Sequence, residues 1–174
     1  MFFRFVVLTL SILTLGCQED LQPSSSDRRD IEEGSTGVQA GQIIDDFEYT
    51  LSTGATSSLT ADLQTHDAVV YYFTMWCPVC TEHMQHIAQD LVTAYPDVQF
   101  YFVDYLTSSL NQTHSTLTSQ GWQGFPTISD FNNALENKLD GTMAITVVVD
   151  KNYTVQLNEE FKNGSRLEDV LEAL

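Results

Sequence analysis

Residues 68–80 read AVVYYFTMWCPVC, and this stretch decides the fold. Its first part, 68–73, is a continuous apolar run of the kind expected in a strand buried on both faces. Pro78, between the two cysteines, suits the first turn of a helix, because its missing N–H is not needed there. Beyond the cysteines, apolar residues recur at helical spacing: Met84, Ile87, Ala88, Leu91 and Val92. The stretch therefore predicts a central strand, a short turn and a helix that begins at a pair of cysteines.

The remaining elements extend this unit in both directions. Before the central strand we expect a hairpin over 47–51 and 56–59 and a brief helical turn over 60–64. The helix after the cysteines should end before Pro96, because the residue preceding a proline avoids the α region. The later predicted elements are a strand over 98–103, helices over 111–120 and 131–139, a strand over 144–149, its hairpin partner from Val155, and a closing helix with the apolar stripe Leu167, Val170, Leu171 and Leu174. This order predicts a three-layer α/β domain with a central mixed sheet and an N-terminal β-hairpin extension.

The N-terminus has the features of a secretory leader. Arg4 precedes an apolar run over 5–15, which is too short to span a bilayer as a helix. The run ends in LTLGC at residues 13–17, which resembles the lipobox of bacterial lipoproteins. Thr14 stands where that motif usually has a leucine. The alternative is an ordinary leader that contains a cysteine by chance.

The lipobox resemblance implies that residues 1–17 are a lipoprotein signal peptide, with a diacylated Cys17 as the mature N-terminus. Two acyl chains suffice for stable membrane anchoring. The expected location is the cell envelope, facing the periplasm or the exterior, and Gln18 slightly favours the outer membrane. Residues 18–40 are rich in Ser, Gly and acidic residues and predict a disordered tether, so that the folded domain should cover 41–174.

The charge of the chain excludes one class of partner. The formal net charge is −17, with only seven Lys and Arg residues. Nucleic acid binding needs a basic surface to neutralise phosphates, so no nucleic acid partner is expected. We interpret the acidity as a solubilising surface, with electrostatic steering of a basic partner as the alternative.

The cysteines point to redox chemistry. With Cys17 lipidated, Cys77 and Cys80 must pair with each other, bind a ligand or stay reduced. A cysteine at the start of a helix lies where free backbone N–H groups and the helix dipole favour the thiolate. A bare Cys-x-x-Cys is a weak signal, but Trp76-Cys77-Pro78-x-Cys80 between a strand and a helix is a strong one.

Three further segments complete a resemblance to a known family. These are GQ to DL over 41–63, FPTISD over 125–130 and GTMAITVVVDK over 141–151. Together with the cysteine motif, they resemble the thioredoxin superfamily, and more closely its TlpA-like and AhpC/TSA (redoxin) branch. The resemblance implies that Cys77 is the attacking thiol, that Cys80 is the resolving thiol, and that the partners are protein thiols and disulfides of the envelope. No cofactor is expected, and the direction of electron flow is left open.

One departure from that family concerns a cis-proline that normally faces the cysteines. Pro126 is a candidate, but the residues that follow it predict a poor strand. The strong strand begins near Ala144, so we expect Met143-Ala144 to take the place of the proline. A cis bond before a residue other than proline costs about 2.5–4 kcal/mol. The bond between these two residues could therefore be trans, and its geometry is left open.

The histidines are the other departure. His83 lies one helical turn after Cys80, where several TlpA-like relatives have Glu. It could shuttle protons or stabilise the Cys77 thiolate, whereas the slightly favoured interpretation is a solvated surface side chain. His86 is interpreted as a surface charge partner of Glu82. The predicted site therefore comprises Cys77 and Cys80, supported by Trp76, Pro78, His83, Met143 and Ala144.

Three other functions stay open. A metal-handling module could use Cys77, Cys80 and His83, although no second ligand pair has zinc-site spacing. A thiol peroxidase would use Thr74-x-x-Cys77, but Val70 stands where peroxiredoxins have a proline, and no arginine is convincingly placed. A redoxin fold kept for protein interaction, with a permanent disulfide, is the third.

Overall fold

The computed structural model describes residues 31–107 and 109–174. The predicted leader, Cys17 and residues 18–30 of the predicted tether lie outside the described residues. Within the described ranges, no helix combines the length and the apolar composition needed to cross a bilayer.

The elements follow the predicted order. They are β1 (Glu48–Thr50), β2 (Thr56–Ser58), α1 (Leu59–Leu63), β3 (Ala68–Thr74), α2 (Pro78–His86), a π-helical turn (Ile87–Leu91), α3 (Val92–Ala94), β4 (Val98–Asp104), α4 (Leu110–Gln120), β5 (Thr127–Ser129), a 3₁₀ turn (Phe131–Asn133), α5 (Ala134–Leu139), β6 (Ile145–Asp150), β7 (Val155–Glu160) and α6 (Ser165–Glu172). The predicted hairpin, the central strand and the strand over 144–149 are confirmed within one or two residues at most boundaries, and the predicted closing helix is present as α6.

The main sheet has five strands in the order β5-β4-β3-β6-β7. Strands β3, β4 and β5 run parallel, whereas β6 is antiparallel to β3 and β7 to β6. In the middle of the sheet, Tyr71 pairs with Tyr101 on one side and with Val147 on the other. Every residue of β3 is buried, which is why its sequence is continuously apolar instead of alternating.

Helices cover both faces of this sheet. Alternate residues of β3 point to opposite faces. Tyr71 and Phe73 join a cluster with residues of β1, α1 and α5, while Val70 and Tyr72 join a second cluster with residues of α2 and α6. The three-layer α/β fold with a mixed central sheet is confirmed.

The segment after Pro126 differs from its prediction. Residues predicted to form a poor strand include β5, which pairs with β4 over only three residues and is completely buried. Asp130 then ends the strand, and both of its carboxylate oxygens accept hydrogen bonds from backbone N–H groups at the start of α5, at 2.7 and 2.8 Å. This strand forms because it pairs with β4, since three residues contain too little hydrophobic pattern to specify a strand by themselves.

Two terminal segments also differ from what the sequence predicts. Residues 31–40, predicted as part of the disordered tether, are hydrogen-bonded to the domain: Gly34 N–H donates to Gly41 O, and Asn158 Nδ2 donates to Val38 O, both at 2.8 Å. At the other end, Leu174 is exposed and does not extend the apolar stripe of α6, because the helix ends at Glu172.

Candidate active site

The two cysteines lie where β3 leads into α2. Cys77 is the N-cap of α2, with an extended backbone, and Pro78 is the first helical residue. The Cys77 sulfur accepts a hydrogen bond from Cys80 N–H at 3.1 Å. The Cα atoms of the two cysteines are 5.0 Å apart, and their sulfurs lie at disulfide distance. The sulfur therefore does what a Ser or Asp side chain does at other helix starts, since it satisfies one of the first free N–H groups.

The two sulfurs differ in accessibility. Cys77 is half-buried, and Pro78 and Val79 beside it are exposed, whereas Cys80 is 0% exposed. A partner arriving from solvent can therefore contact Cys77 but not Cys80. This asymmetry is what an attacking and a resolving thiol require.

The turn before Cys77 is organised by Thr74, at the end of β3. Its hydroxyl accepts a hydrogen bond from Trp76 N–H at 3.1 Å and donates to the Met84 sulfur at 3.3 Å. Trp76 has a φ of +59°, which is rare for a bulky residue, and its buried indole N–H has no partner within the described residues. Sequence reasoning considered Thr74 only as a peroxidase residue and missed this positioning role.

Ala144 lies beside the end of β3. Its N–H donates to Phe73 O at 2.9 Å, and its carbonyl accepts from Phe161 N–H at 2.8 Å. Its φ of +64° is in the left-handed region, and no cis peptide bond occurs in the described residues. Met143, just before it, is 47% exposed. Pro126 instead precedes β5, which β4 separates from β3.

His83 is not a solvated surface side chain. It is half-buried, its Nδ1 lies 3.0 Å from the Tyr72 hydroxyl, and its ring packs against Phe161 with 4.5 Å between ring centroids. Desolvation by this burial lowers the pKa of His83 below its ordinary value of 6.5. In the neutral form, the Tyr72 hydroxyl donates to Nδ1 when the ring proton is on Nε2, and it accepts from Nδ1–H in the other tautomer. The alternation of β3 places Tyr72 on the α2 face of the sheet, so the sequence contained a signal for this pair.

The prediction for His86 has the wrong partner. Its Nε2 lies 3.1 Å from Glu168 of α6 and 3.9 Å from Asp90, so its carboxylate contacts in the described residues do not involve Glu82. The contact with Glu168 joins two helices and is not visible in the spacing along α2.

The geometry offers little to a metal ion. Across residues 31–107 and 109–174, no three His, Cys, Asp or Glu side chains are grouped so that they could hold one. His83 uses its Nδ1 in the contact with Tyr72. The metal-handling alternative therefore gains no support from the arrangement of these side chains.

The sequence pattern of the AhpC/TSA family matches residues 40–158, which is more than half of the chain. The chain belongs to the AhpC/TSA family. This membership supports an oxidoreductase at a general level. No curated protein sequence matches the chain.

Solved structures agree on the fold of this redoxin. A protein from Bacteroides thetaiotaomicron, provisionally named a protein disulfide isomerase, superposes with a TM-score of 0.65 at 22% identity, covering 78% of this chain and 87% of its own. The peroxidoxin BcpB of Mycobacterium tuberculosis superposes with a TM-score of 0.60 at 16% identity, covering 78% of this chain and 96% of its own. A secreted disulfide oxidoreductase of the same organism superposes with a TM-score of 0.56 at 19% identity, covering 74% of this chain and 96% of its own. At these identities the similarity establishes the thioredoxin-like fold.

Proposed function

We propose that this redoxin is a membrane-anchored, extracytoplasmic thiol–disulfide oxidoreductase that acts on protein cysteines of the cell envelope. The observation that carries the proposal is the asymmetric pair at the start of α2. Cys77 caps the helix and can be approached from solvent, while Cys80 is completely buried within bonding distance of it. Neither a structural disulfide nor a metal site requires this arrangement, whereas thiol–disulfide exchange does.

The exchange has two steps. In the reduced protein, the Cys77 thiolate attacks one sulfur of a partner disulfide, and the other partner sulfur leaves as a thiolate. The Cys80 thiolate then attacks the Cys77 sulfur, which forms the Cys77–Cys80 disulfide and releases the second partner thiolate. Two electrons have passed to the partner, and both released thiolates take protons from water. In the oxidised protein the same steps run backwards and oxidise a partner dithiol.

The helix start supports the first step. The N–H of Cys80 already points at the Cys77 sulfur, and the positive end of the α2 dipole favours negative charge there. The same donor stabilises Cys77 as the leaving thiolate when a mixed disulfide is resolved in the reverse direction. No side chain has to move to create this hydrogen bond.

The envelope location is supported by the sequence alone. The apolar run before Cys17 and the lipobox-like LTLGC are the features on which it depends. If Cys17 carries the anchor, Cys17→Ala should appear in the soluble fraction after osmotic lysis, while the wild-type protein stays with the membranes. Retention of Cys17→Ala in the membrane fraction would contradict anchoring through this residue.

Trapping tests the chemistry. Cys80→Ser cannot resolve a mixed disulfide, so it should accumulate covalent complexes that disappear on reduction. Cys77→Ser is the matched control, because it keeps one cysteine of the pair but loses the accessible one, and it should accumulate no such complexes. The proposal fails if neither variant forms such complexes and if the wild-type pair stays inert across glutathione and dithiothreitol redox buffers.

The peroxidase alternative has a weaker basis. The hydroxyl of Thr74 accepts from Trp76 N–H and donates its only proton to the Met84 sulfur, so that proton is already used. A hydrogen peroxide consumption assay with the reduced protein distinguishes the two functions, because the oxidoreductase should exchange with disulfides much faster than it consumes peroxide.

A further inference from the structure

Three Asn-x-Ser/Thr triplets occur in the chain, and none of them has proline in the middle position. They begin at Asn111, Asn152 and Asn163. This triplet is the acceptor sequence for N-linked glycosylation, in which the asparagine amide receives a sugar chain on a surface loop of a secreted protein. So short a triplet also occurs by chance, so the surroundings of each asparagine in the fold must show which of the three a transferase could use.

The triplet at Asn111 is closed to a transferase. Both Asn111 and Thr113 lie within α4, so an enzyme would have to unwind the helix to bind the triplet in an extended form. Thr113 is 0% exposed, and its hydroxyl lies 2.6 Å from the Thr107 hydroxyl. The hydroxyl of the third residue is part of the acceptor sequence, and here it cannot be reached from solvent.

The triplet at Asn163 is engaged in hydrogen bonds of its own. The side-chain carbonyl oxygen of Asn163 accepts from the hydroxyl and from the N–H of Ser165, at 2.9 and 3.3 Å. Gly164 between them is buried, and Ser165 is the first residue of α6. The acceptor amide and the hydroxyl therefore contact each other at a helix start, and neither is free to bind an enzyme.

The triplet at Asn152 is open. It lies in the turn between β6 and β7, where Asn152 is exposed and Thr154 is half-buried. Both backbone N–H groups donate to the same carboxylate oxygen of Asp150, at 2.8 and 2.9 Å. Among the residues that the structure describes, neither the Asn152 side-chain amide nor the Thr154 hydroxyl has a hydrogen-bond partner. The two groups that define the acceptor sequence are therefore both available.

The middle residue attaches this turn to the domain. Tyr153 has a φ of +63°, and its hydroxyl lies 2.8 Å from the Thr60 hydroxyl of α1. Its N–H donates to Asp150 O at 3.0 Å, which closes the turn. The turn is thus presented in a defined conformation by contacts that use neither the Asn152 amide nor the Thr154 hydroxyl.

We propose that Asn152 is an N-glycosylation site, modified when the chain is exported. The proposal goes beyond the redox function and rests on the envelope location proposed with it. The sugar donor is an oligosaccharide carried on a lipid pyrophosphate. The Asn152 Nδ2 attacks the anomeric carbon, a C–N bond forms, and the C–O bond to the pyrophosphate breaks. The lipid pyrophosphate leaves, Nδ2 gives up one proton to a base of the transferase, and nothing is oxidised or reduced.

The site lies at the end of the sheet opposite the cysteines. Asp150, beside the turn, pairs with Ala68 at the start of β3, whereas Cys77 follows the end of β3. At about 3.3 Å per residue, β3 alone separates these two ends by about 20 Å. A glycan on Asn152 therefore leaves the cysteine pair accessible, so glycosylation and thiol–disulfide exchange should be independent of each other.

Mass spectrometry of the full chain tests the site. The protein is purified from the envelope of its native host, as the wild type and as the variants Asn152→Gln, Asn111→Gln and Asn163→Gln. We expect the wild type to carry a sugar mass that Asn152→Gln loses and that the other two variants keep. Fragmentation of the glycopeptide should place the sugar on Asn152.

Two variants of the third residue test recognition of the hydroxyl. Thr154→Ser keeps the hydroxyl and should keep the glycan, whereas Thr154→Val has a similar shape but no hydroxyl and should lose it. The urea midpoints of both variants should lie near that of the wild type, which shows that the fold is intact. A glycan retained in full by Thr154→Val would overturn the assignment of Asn152 as an Asn-x-Thr acceptor.

The outcomes separate this proposal from the redox function. Wild-type protein from the envelope that carries no sugar overturns the glycosylation proposal alone, and so does a sugar on Asn111 or Asn163 in place of Asn152. Protein that is retained in the cytoplasm overturns both the envelope location and the glycosylation. Protein that carries the glycan on Asn152 but exchanges with no disulfide, including oxidised dithiothreitol, overturns only the redox function. Exchange by the wild type and by Asn152→Gln should proceed at equal rates.

Discussion

Replacing Ala144 with proline tests the backbone conformation beside the end of β3. Ala144 has a φ of +64°, and its N–H donates to the carbonyl of buried Phe73 at 2.9 Å. Proline fixes φ near −65° and has no N–H, so it can reproduce neither feature. The substitution therefore perturbs the backbone beside Phe73, four residues before Cys77.

The expected loss of stability comes mainly from the hydrogen bond that proline cannot donate. That bond contributes about 1 kcal/mol, and leaving the buried Phe73 carbonyl without a donor costs about 1–3 kcal/mol. With the required rotation of the backbone, we expect Ala144→Pro to lower the free energy of unfolding by about 3 kcal/mol. Ala144→Gly is the control: relief of left-handed strain gains about 1–2 kcal/mol. Loss of a buried methyl costs about 0.8 kcal/mol, and greater freedom of the unfolded chain about 0.5–1 kcal/mol, so the net change is near zero.

Urea unfolding of the oxidised proteins measures both variants. With a slope of about 2 kcal/mol per molar urea, 3 kcal/mol lowers the midpoint by about 1.5 M. The urea midpoint of the glycine variant should lie within about 0.3 M of the wild-type midpoint. If the urea midpoint of Ala144→Pro also lies within that range, the left-handed backbone and its hydrogen bond to Phe73 are not native.

Three other substitutions are predicted from the same structure. Gly141→Ala places a methyl group where it overlaps the buried ring of Phe73, and such overpacking should cost about 1–3 kcal/mol in thermal or urea unfolding. Burial lowers the pKa of His83, so the unfolded chain binds more protons as the pH falls through about 6.5. The wild-type protein should therefore lose stability over that range, and His83→Gln should lose less. Asp130→Ala removes the acceptor of two N–H groups at the start of α5 and should cost about 1–2 kcal/mol in urea unfolding.

Controls accompany these variants. Gly124→Ala adds the same methyl group in open space and should leave stability nearly unchanged. A stability profile of His83→Gln parallel to that of the wild type from pH 7 to about pH 5 would contradict the burial of His83. Asp130→Asn keeps one acceptor oxygen, so it should lose less than Asp130→Ala, and equal losses would refute the capping role of Asp130.

Much of the fold could be predicted because its signals are local. The continuous apolar run of β3 indicates burial on both faces, and the structure has no exposed residue in this strand. The helix predicted over 111–120 is α4 at Leu110–Gln120, which begins at a Ser109 cap and ends at Gly121 in the left-handed region. Caps and periodicity lie within a few residues of one another, so a single sequence contains them.

The features that the sequence did not predict share a different cause. Strand β5, the hydrogen bonds of residues 31–40 and the ion pair between His86 and Glu168 depend on partners that are distant in sequence. A three-residue strand has almost no pattern of its own, and the partner of a surface charge is decided by which element packs beside it. No spacing along the chain contains that information.

The same distinction between local signals and distant contacts applies to the cysteine pair. The sequence alone predicts that Cys77 stands at the start of a helix with Cys80 one turn later, because Pro78 and the two-residue spacing are local features. The burial of Cys80 and the left-handed conformation of Ala144 beside β3 depend instead on contacts between distant segments. The physical reason is the register of the sheet, which joins distant segments through backbone pairing and leaves no trace in the order of the residues.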